Sequence, residues 1–103
     1  MVISTLRRTT TVTRPEEWDA RRGPLLARLR PFLERQPGFV SHELRRGEEP
    51  GSMVEVTAWS TAGDCRAYLR NGAAAMAATM LDAALPTAPY PDGAWVRETV
   101  EQP

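Results

Sequence analysis

Two alternating segments that flank a turn constrain the fold of this 103-residue chain more than any other sequence feature. Residues 39–46 read FVSHELRR and residues 53–60 read MVEVTAWS, and both alternate as half-buried strands do. The glycines and proline of the intervening 47–51, GEEPG, are typical of a turn. The sequence therefore predicts a β-hairpin in which residues whose numbers sum to about 99 lie opposite each other.

The segment before the hairpin predicts a strand and then a helix. Residues 2–13 are rich in β-branched side chains and contain neither Gly nor Pro, which indicates a strand. Apolar side chains recur at helical spacing between residues 18 and 33, but Pro24 and Pro31 interrupt them. Because an interior proline costs a helix ~3 kcal/mol, we expect either a kinked helix or a loose turn followed by a helix that begins near Pro24.

The segment after the hairpin predicts two helices and a last strand. Thr61 and Asp64 resemble a capping box for a helix over 64–70, and the alanine-rich run 73–85 has high helix propensity. Residues 94–101 predict the last strand. The order β-α-β-β-α-(α)-β matches the ferredoxin-like plan, an α+β fold whose helices lie on one face of a four-stranded antiparallel sheet.

Composition excludes several classes of protein. Thirteen basic residues balance thirteen acidic ones, so no net charge favours nucleic acid or an anionic membrane as a partner. The single cysteine, Cys65, leaves no internal disulfide and no cysteine-based metal site. No apolar run approaches the ~20 residues of a membrane span. We expect residues 1–103 to form one cytoplasmic domain that holds no metal.

Both faces of the predicted sheet are substantially apolar. Helices within the chain can cover only one face, so a second subunit laid sheet against sheet would cover the other. The alternative is a monomer that tolerates a few exposed apolar side chains. The side chains concerned are Val54, Val56 and Ala58 on one face of residues 53–60, Met53, Thr57 and Trp59 on the other, and Ala94, Val96 and Val100 opposite Trp95 in the last strand.

The predicted register groups the only histidine with an acid and an indole. His42 would face Thr57, with Glu55 and Trp59 diagonal to it on the same face. The imidazole could transfer a proton, the carboxylate could orient it, and Trp59 could form a wall for an aromatic substrate. A one-residue slip would place these side chains on opposite faces. The simpler interpretation is a packed ring, a core tryptophan and an arginine-paired glutamate.

Thr57 and four other side chains are candidates for contact with a substrate. Tyr68 could donate a hydrogen bond, and Arg97 could hold an anionic oxygen. Met76 and Met80 lie four residues apart on one helix and could line an adaptable pocket. Core packing explains the methionines equally well.

Residues 37–46, PGFVSHELRR, and 53–71, MVEVTAWSTAGDCRAYLRN, resemble the antibiotic biosynthesis monooxygenase family. The resemblance implies a dimeric α+β barrel of two ferredoxin-like subunits, with a pocket between sheet and helices. Some members oxidise aromatic polyketides without metal or flavin, because a base deprotonates the substrate and the carbanion reacts with oxygen. Others degrade haem, are cyclases or have no known activity.

Individual positions refine what the resemblance implies. Trp59 matches the tryptophan that ends the family's strand. Four residues before this tryptophan the oxygenases commonly have asparagine, whereas this chain has Glu55. About ten residues after it the haem-degrading members have a histidine, whereas this chain has Leu69. The resemblance therefore implies a cofactor-free monooxygenase of secondary metabolism that acts on an aromatic or polyketide-derived intermediate. A cyclase or isomerase that uses His42 and Glu55 as acid and base, and a non-catalytic dimeric binding protein, are the alternatives.

Overall fold

The computed structural model describes residues 1–89, 91–93 and 95–102, and its elements follow the predicted order. Four strands form one antiparallel sheet in the order β2-β3-β1-β4, which confirms the ferredoxin-like α+β fold. Residue 94, where the last strand was expected to begin, lies outside the described residues. The elements are β1 (Val2–Thr9), α1 (Pro15–Glu34), β2 (Phe39–Arg46), β3 (Ser52–Trp59), α2 (Ala62–Arg70), α3 (Ala73–Ala84) and β4 (Val96–Glu101).

The β2–β3 hairpin has the predicted register. His42 pairs with Thr57, and a bulge near Val40 shifts the pairing only at the start of β2. Gly51, in the turn, has a φ of +81°, and a Cβ there would lie 2.6 Å from the carbonyl oxygen of Thr10. Any other residue would be strained and would clash with the end of β1, so this glycine helps to fix the turn.

Helix α1 is continuous through both prolines, so the expectation of a loose turn before Pro24 is wrong. Each proline lies on the solvent side, as do Ala20 and Ala27, whose carbonyls lose their helical partners. Water can bond those carbonyls, which lowers the cost of the prolines. The opposite side of α1 is packed in the core through Trp18, Leu25, Leu26, Leu29 and Leu33.

Strand β1 ends at Thr9, four residues earlier than expected. The backbone N–H of Thr10 donates to Gly51 and that of Thr11 donates to Pro86, at 2.7 and 2.9 Å. The chain thus leaves the sheet, and Val12 is buried in the core. No helix in the described part of the chain is long and apolar enough to cross a membrane.

The two faces of the sheet differ in cover. One face packs against the three helices around Trp59, Leu44 and Met53, all at most 2 % exposed. No helix among the described residues covers the other face, and Val96 and Val100 of β4 are 59 % and 48 % exposed. The site considered below lies on the helix-covered face.

Arg8 fastens the segment after α3 to the sheet. Its buried guanidinium donates to the carbonyl of Leu85 at 2.8 Å and to Thr87 Oγ1 at 2.6 Å, and lies 4.8 Å from the centre of the Trp95 ring. Asp82 lies 3.6 Å from the Arg8 guanidinium. The pKa of the Asp82 carboxyl is lowered, and hydrogen bonds from Thr87 are the largest cause. Desolvation lowers the pKa of Arg8. The arginine therefore supplies a donor to the buried Leu85 carbonyl, whereas Thr87 Oγ1 also accepts from the indole N–H of Trp95.

Arg8→Met should lower the free energy of unfolding by about 1–3 kcal/mol, because the Leu85 carbonyl would remain buried without a donor. Arg28→Met, at an exposed position of α1, is the matched control and should change stability by no more than about 0.5 kcal/mol. Urea unfolding monitored by circular dichroism would measure both. Equal midpoints for the two variants would contradict the role given to Arg8.

Candidate functional site

The register of the hairpin brings three predicted site residues onto the helix-covered face. His42 Nε2 lies 3.0 Å from Glu55 Oε2, and the two side chains are 1 % and 3 % exposed. Trp59, two residues beyond the partner of His42, is fully buried. The imidazole, the carboxylate and the indole thus share one buried region, as the alternation of β3 requires.

The hydrogen bond to Glu55 distinguishes the two nitrogens of His42. An ionised carboxylate only accepts hydrogen bonds, so the nitrogen that faces it, Nε2, carries a proton. Nδ1 is buried and has no hydrogen-bond partner among the described residues. In the neutral ring, Nδ1 therefore has a free lone pair and can act as a base, with Glu55 stabilising the imidazolium that results.

Aromatic rings extend the site from Trp59. Its indole N–H donates to Thr57 Oγ1 at 2.9 Å, which fixes the ring. Phe39 meets it edge-on at 5.8 Å between centroids, and Tyr68 packs against it at 4.5 Å with a tilt of 30°. We refer to His42, Glu55, Thr57, Trp59 and Tyr68 as the buried cluster.

Tyr68 reaches the buried cluster from α2. Thr61 caps this helix, as predicted, by accepting a hydrogen bond from the Asp64 N–H at 3.1 Å. The helix begins at Ala62, two residues earlier than expected. The Tyr68 hydroxyl is buried without a hydrogen-bond partner among the described residues. Burial raises its pKa, the charge of Glu55 raises it further, and Arg97 opposes both. The phenol consequently stays protonated at neutral pH.

Arg97 adds a cation at the opposite edge of the sheet. It lies on β4 and donates to the buried Ser4 Oγ at 2.8 Å. Ser4 pairs with Thr57, so polar side chains cross the buried face from β2 to β4. Ser4 was not predicted from the sequence as a site residue. Its signal was a polar residue between Val2 and Leu6 on the buried side of a predicted strand.

The structure separates the two methionines, which corrects the expectation that they line one pocket. Met76 is 54 % exposed, whereas Met80 is half-buried and packs against the core. Ala77 and Leu81 mark the inward side of α3. At about 100° per residue, Met76 lies about 100° from Ala77, while Met80 lies only about 60° from it.

The side chains of the buried cluster are packed together. Five surface depressions bounded by described residues do not reach His42, Glu55 or Trp59. One of them, about 120 Å³ in volume, is lined by Tyr68 together with Gln36, Pro37, Asp64, Ala67, Asn71 and Ala73. Nowhere in the described ranges do three His, Cys, Asp or Glu side chains meet in a way that could hold a metal ion.

Solved structures provide the comparison with known proteins, since the sequence matches no protein-family model and no curated protein. SnoaB, a cofactor-independent oxygenase from Streptomyces nogalater, is 25 % identical with a TM-score of 0.61, over 99 % of this chain and 93 % of SnoaB. The ActVA-Orf6 monooxygenase of Streptomyces coelicolor, solved with nanaomycin D, is 14 % identical with a TM-score of 0.67, over 99 % and 87 %. A candidate antibiotic biosynthesis monooxygenase from Deinococcus radiodurans is 16 % identical with a TM-score of 0.65, over 100 % and 93 %.

These likenesses confirm the resemblance inferred from residues 37–71. Many structural neighbours of the chain are antibiotic biosynthesis monooxygenases, and they match it over nearly its whole length. Their names support a monooxygenase of this kind. The roles of individual residues remain predictions from the geometry.

Because the chain has one histidine, NMR of the imidazole nitrogens can test the His42–Glu55 bond directly. In the neutral ring, the ¹⁵N shifts should show the proton on Nε2 and a bare Nδ1. Glu55→Gln should weaken this preference, because an amide can donate as well as accept. Glu34→Gln, at the exposed end of α1, should leave the spectrum unchanged. A ring protonated on Nδ1 in the unmodified protein would contradict the assignment.

Proposed function

We propose that this chain is a cofactor-independent monooxygenase that acts on an aromatic or polyketide-derived intermediate of secondary metabolism. The observation that carries the proposal is the buried His42–Glu55 hydrogen bond beside Trp59, in a fold similar to that of SnoaB. This arrangement supplies a base with one free nitrogen and an aromatic surface on which a planar substrate can lie.

In the proposed reaction, Nδ1 of His42 removes a proton from an acidic phenol or an activated CH₂ of the substrate. The resulting carbanion gives its electrons to O₂, a carbon–oxygen bond forms, and the peroxide takes the proton back from the His42 imidazolium to become a hydroperoxide. Loss of water from the hydroperoxide leaves a carbonyl, so one oxygen atom enters the product and the other leaves as water. The substrate supplies every electron, which is why the reaction needs no cofactor.

The other side chains have supporting roles in this proposal. Glu55 stabilises the imidazolium, Trp59 holds the substrate ring, and Thr57 fixes the indole through the bond at 2.9 Å. Tyr68 and Met80 contact the substrate from the helices. Arg97 compensates the negative charge of the carbanion, because its guanidinium uses one N–H on Ser4 and has four others. Met76 has no part, because it faces solvent.

We also propose that two copies of the chain pair through the uncovered sheet face. Exposed or half-buried apolar side chains lie on this face from β3 to β4, a pattern more typical of an interface than of a solvated face. Charged side chains of both signs lie among and beside them on the same face, which suits a self-complementary contact. The apolar set comprises Ile3, Val54, Val56, Val96 and Val100, and the charged set comprises Arg7, Glu43, Arg45 and Glu98.

Specific observations favour each of two other functions. Glu55 occupies the position where the oxygenases commonly have asparagine, and a histidine–carboxylate pair suits a cyclase or isomerase that moves protons without oxygen. The close packing of the buried cluster suits a protein that binds without catalysis, since a substrate would have to displace side chains to enter.

Oxygen uptake with hydroxylated anthrones and naphthols separates these functions. A monooxygenase should consume one O₂ for each product carbonyl, and His42→Ala should lower kcat by about 10²–10⁴-fold through loss of the base. Arg28→Ala, at a site outside the cluster, is the control and should retain full activity. Turnover without oxygen uptake would indicate the cyclase, and binding without turnover would indicate the binding protein.

Val96→Glu should convert the dimer into a monomer without unfolding the chain. The side chain is 59 % exposed in the single subunit, so a charge there costs folding little but would be buried in the paired sheets. Met76→Glu is the matched control, because Met76 is equally exposed apolar surface on α3. Sedimentation velocity would measure the mass of each. A monomeric unmodified chain would contradict the pairing.

A further inference from the structure

We propose that the Tyr68 hydroxyl is the hydrogen-bond donor that holds an accepting oxygen of the ligand against the buried cluster. This role deepens the proposed function and rests on it. With this donor, the site should prefer an aromatic ligand that has a carbonyl or similar oxygen. A ligand with the same ring system but no such oxygen should bind more weakly.

The position of Tyr68 supports this role. Its ring packs on Trp59 with 4.5 Å between the ring centroids, so Tyr68 is part of the aromatic side of the buried cluster. The side chain is 3 % exposed, and its hydroxyl is buried. No other described residue accepts from it or donates to it.

The free-energy cost of burying the Tyr68 hydroxyl without a partner also supports a role in binding. A buried hydroxyl without a partner costs folding free energy, and folded proteins keep few such groups. Phenylalanine at this position would keep every ring contact and remove that cost. A tyrosine at this position is therefore more useful for binding than for stability, a balance that is common at functional sites.

The chemistry of the hydroxyl defines the ligand atom. Burial raises the pKa of Tyr68, so the phenol keeps its proton and can donate. An oxygen that gains negative charge after proton removal would strengthen this bond. The base at His42 Nδ1 and the donor at Tyr68 are therefore complementary, since the first takes a proton from the ligand and the second supports the charge that remains.

The same side chain offers a route from solvent. Tyr68 lines the surface depression of about 120 Å³ between the end of α1, α2 and the start of α3. Of the buried cluster, Tyr68 is therefore the side chain that a ligand entering from this depression would meet first.

A matched pair of planar probes tests the role. 9-Fluorenone and fluorene share one ring system and differ in the carbonyl. The unmodified protein should bind fluorenone about tenfold more tightly than fluorene, and Tyr68→Phe should reduce this ratio to about one. The carbonyl stretch of bound fluorenone should move to lower wavenumber with the unmodified protein and should not do so with Tyr68→Phe.

Stability provides the readout that separates binding from structure. Tyr68→Phe should melt at the same temperature as the unmodified protein or higher, by up to about 4–8 °C. Thr79→Val, which removes an exposed hydroxyl from α3, is the control and should keep the fluorenone preference.

Three results would overturn the role of Tyr68. If the unmodified protein binds both probes and Tyr68→Phe keeps the preference, the hydroxyl is not the donor, while the proposed function stands. If the variant keeps the preference and melts lower, the hydroxyl is a structural group. If the unmodified protein binds neither probe, the aromatic site itself is absent, and the proposed function fails with it.

Discussion

The pairing of His42 with Thr57 is the contact on which the rest of the site depends. Because strand side chains alternate, this one pairing decides that Glu55 and Trp59 point to the side of the imidazole and not away from it. The turn at 47–51 and the left-handed Gly51 hold the pairing at one end. The bulge near Val40 lies beyond His42, so it lets Phe39 meet Trp59 without disturbing the pairing in between.

Burial determines what the hydrogen bond between His42 and Glu55 can do. On an exposed strand, the His42–Glu55 hydrogen bond would compete with water and contribute little. Under the helices both side chains are almost fully buried, so the bond selects the protonated nitrogen and leaves the other one free. None of the five depressions bounded by described residues reaches the imidazole. Tyr68 is the member of the buried cluster that lines one of these depressions, so a ligand that entered there would meet this side chain first.

The sequence predicted local features well where the chemistry was explicit. Turn residues, alternation and the Thr61 cap gave the hairpin, its register and α2 within two residues of their observed ends. The continuity of α1 could not be predicted, because it depends on both prolines facing water while the leucines of the same helix pack on the sheet. The different exposure of Met76 and Met80 could not be predicted either. Their spacing places them on one side of α3, but only packing shows where the buried side ends. Arg8 and Ser4 were missed because their partners lie far along the chain.

A crystal structure with a planar phenolic ketone would test most directly whether the buried cluster is a ligand site. The ligand should stack on Trp59, with its acidic hydrogen directed at His42 Nδ1 and with the His42–Glu55 bond intact. A ligand bound only at the surface, over an unchanged cluster, would show that these side chains are core and that the activity, if there is one, lies elsewhere.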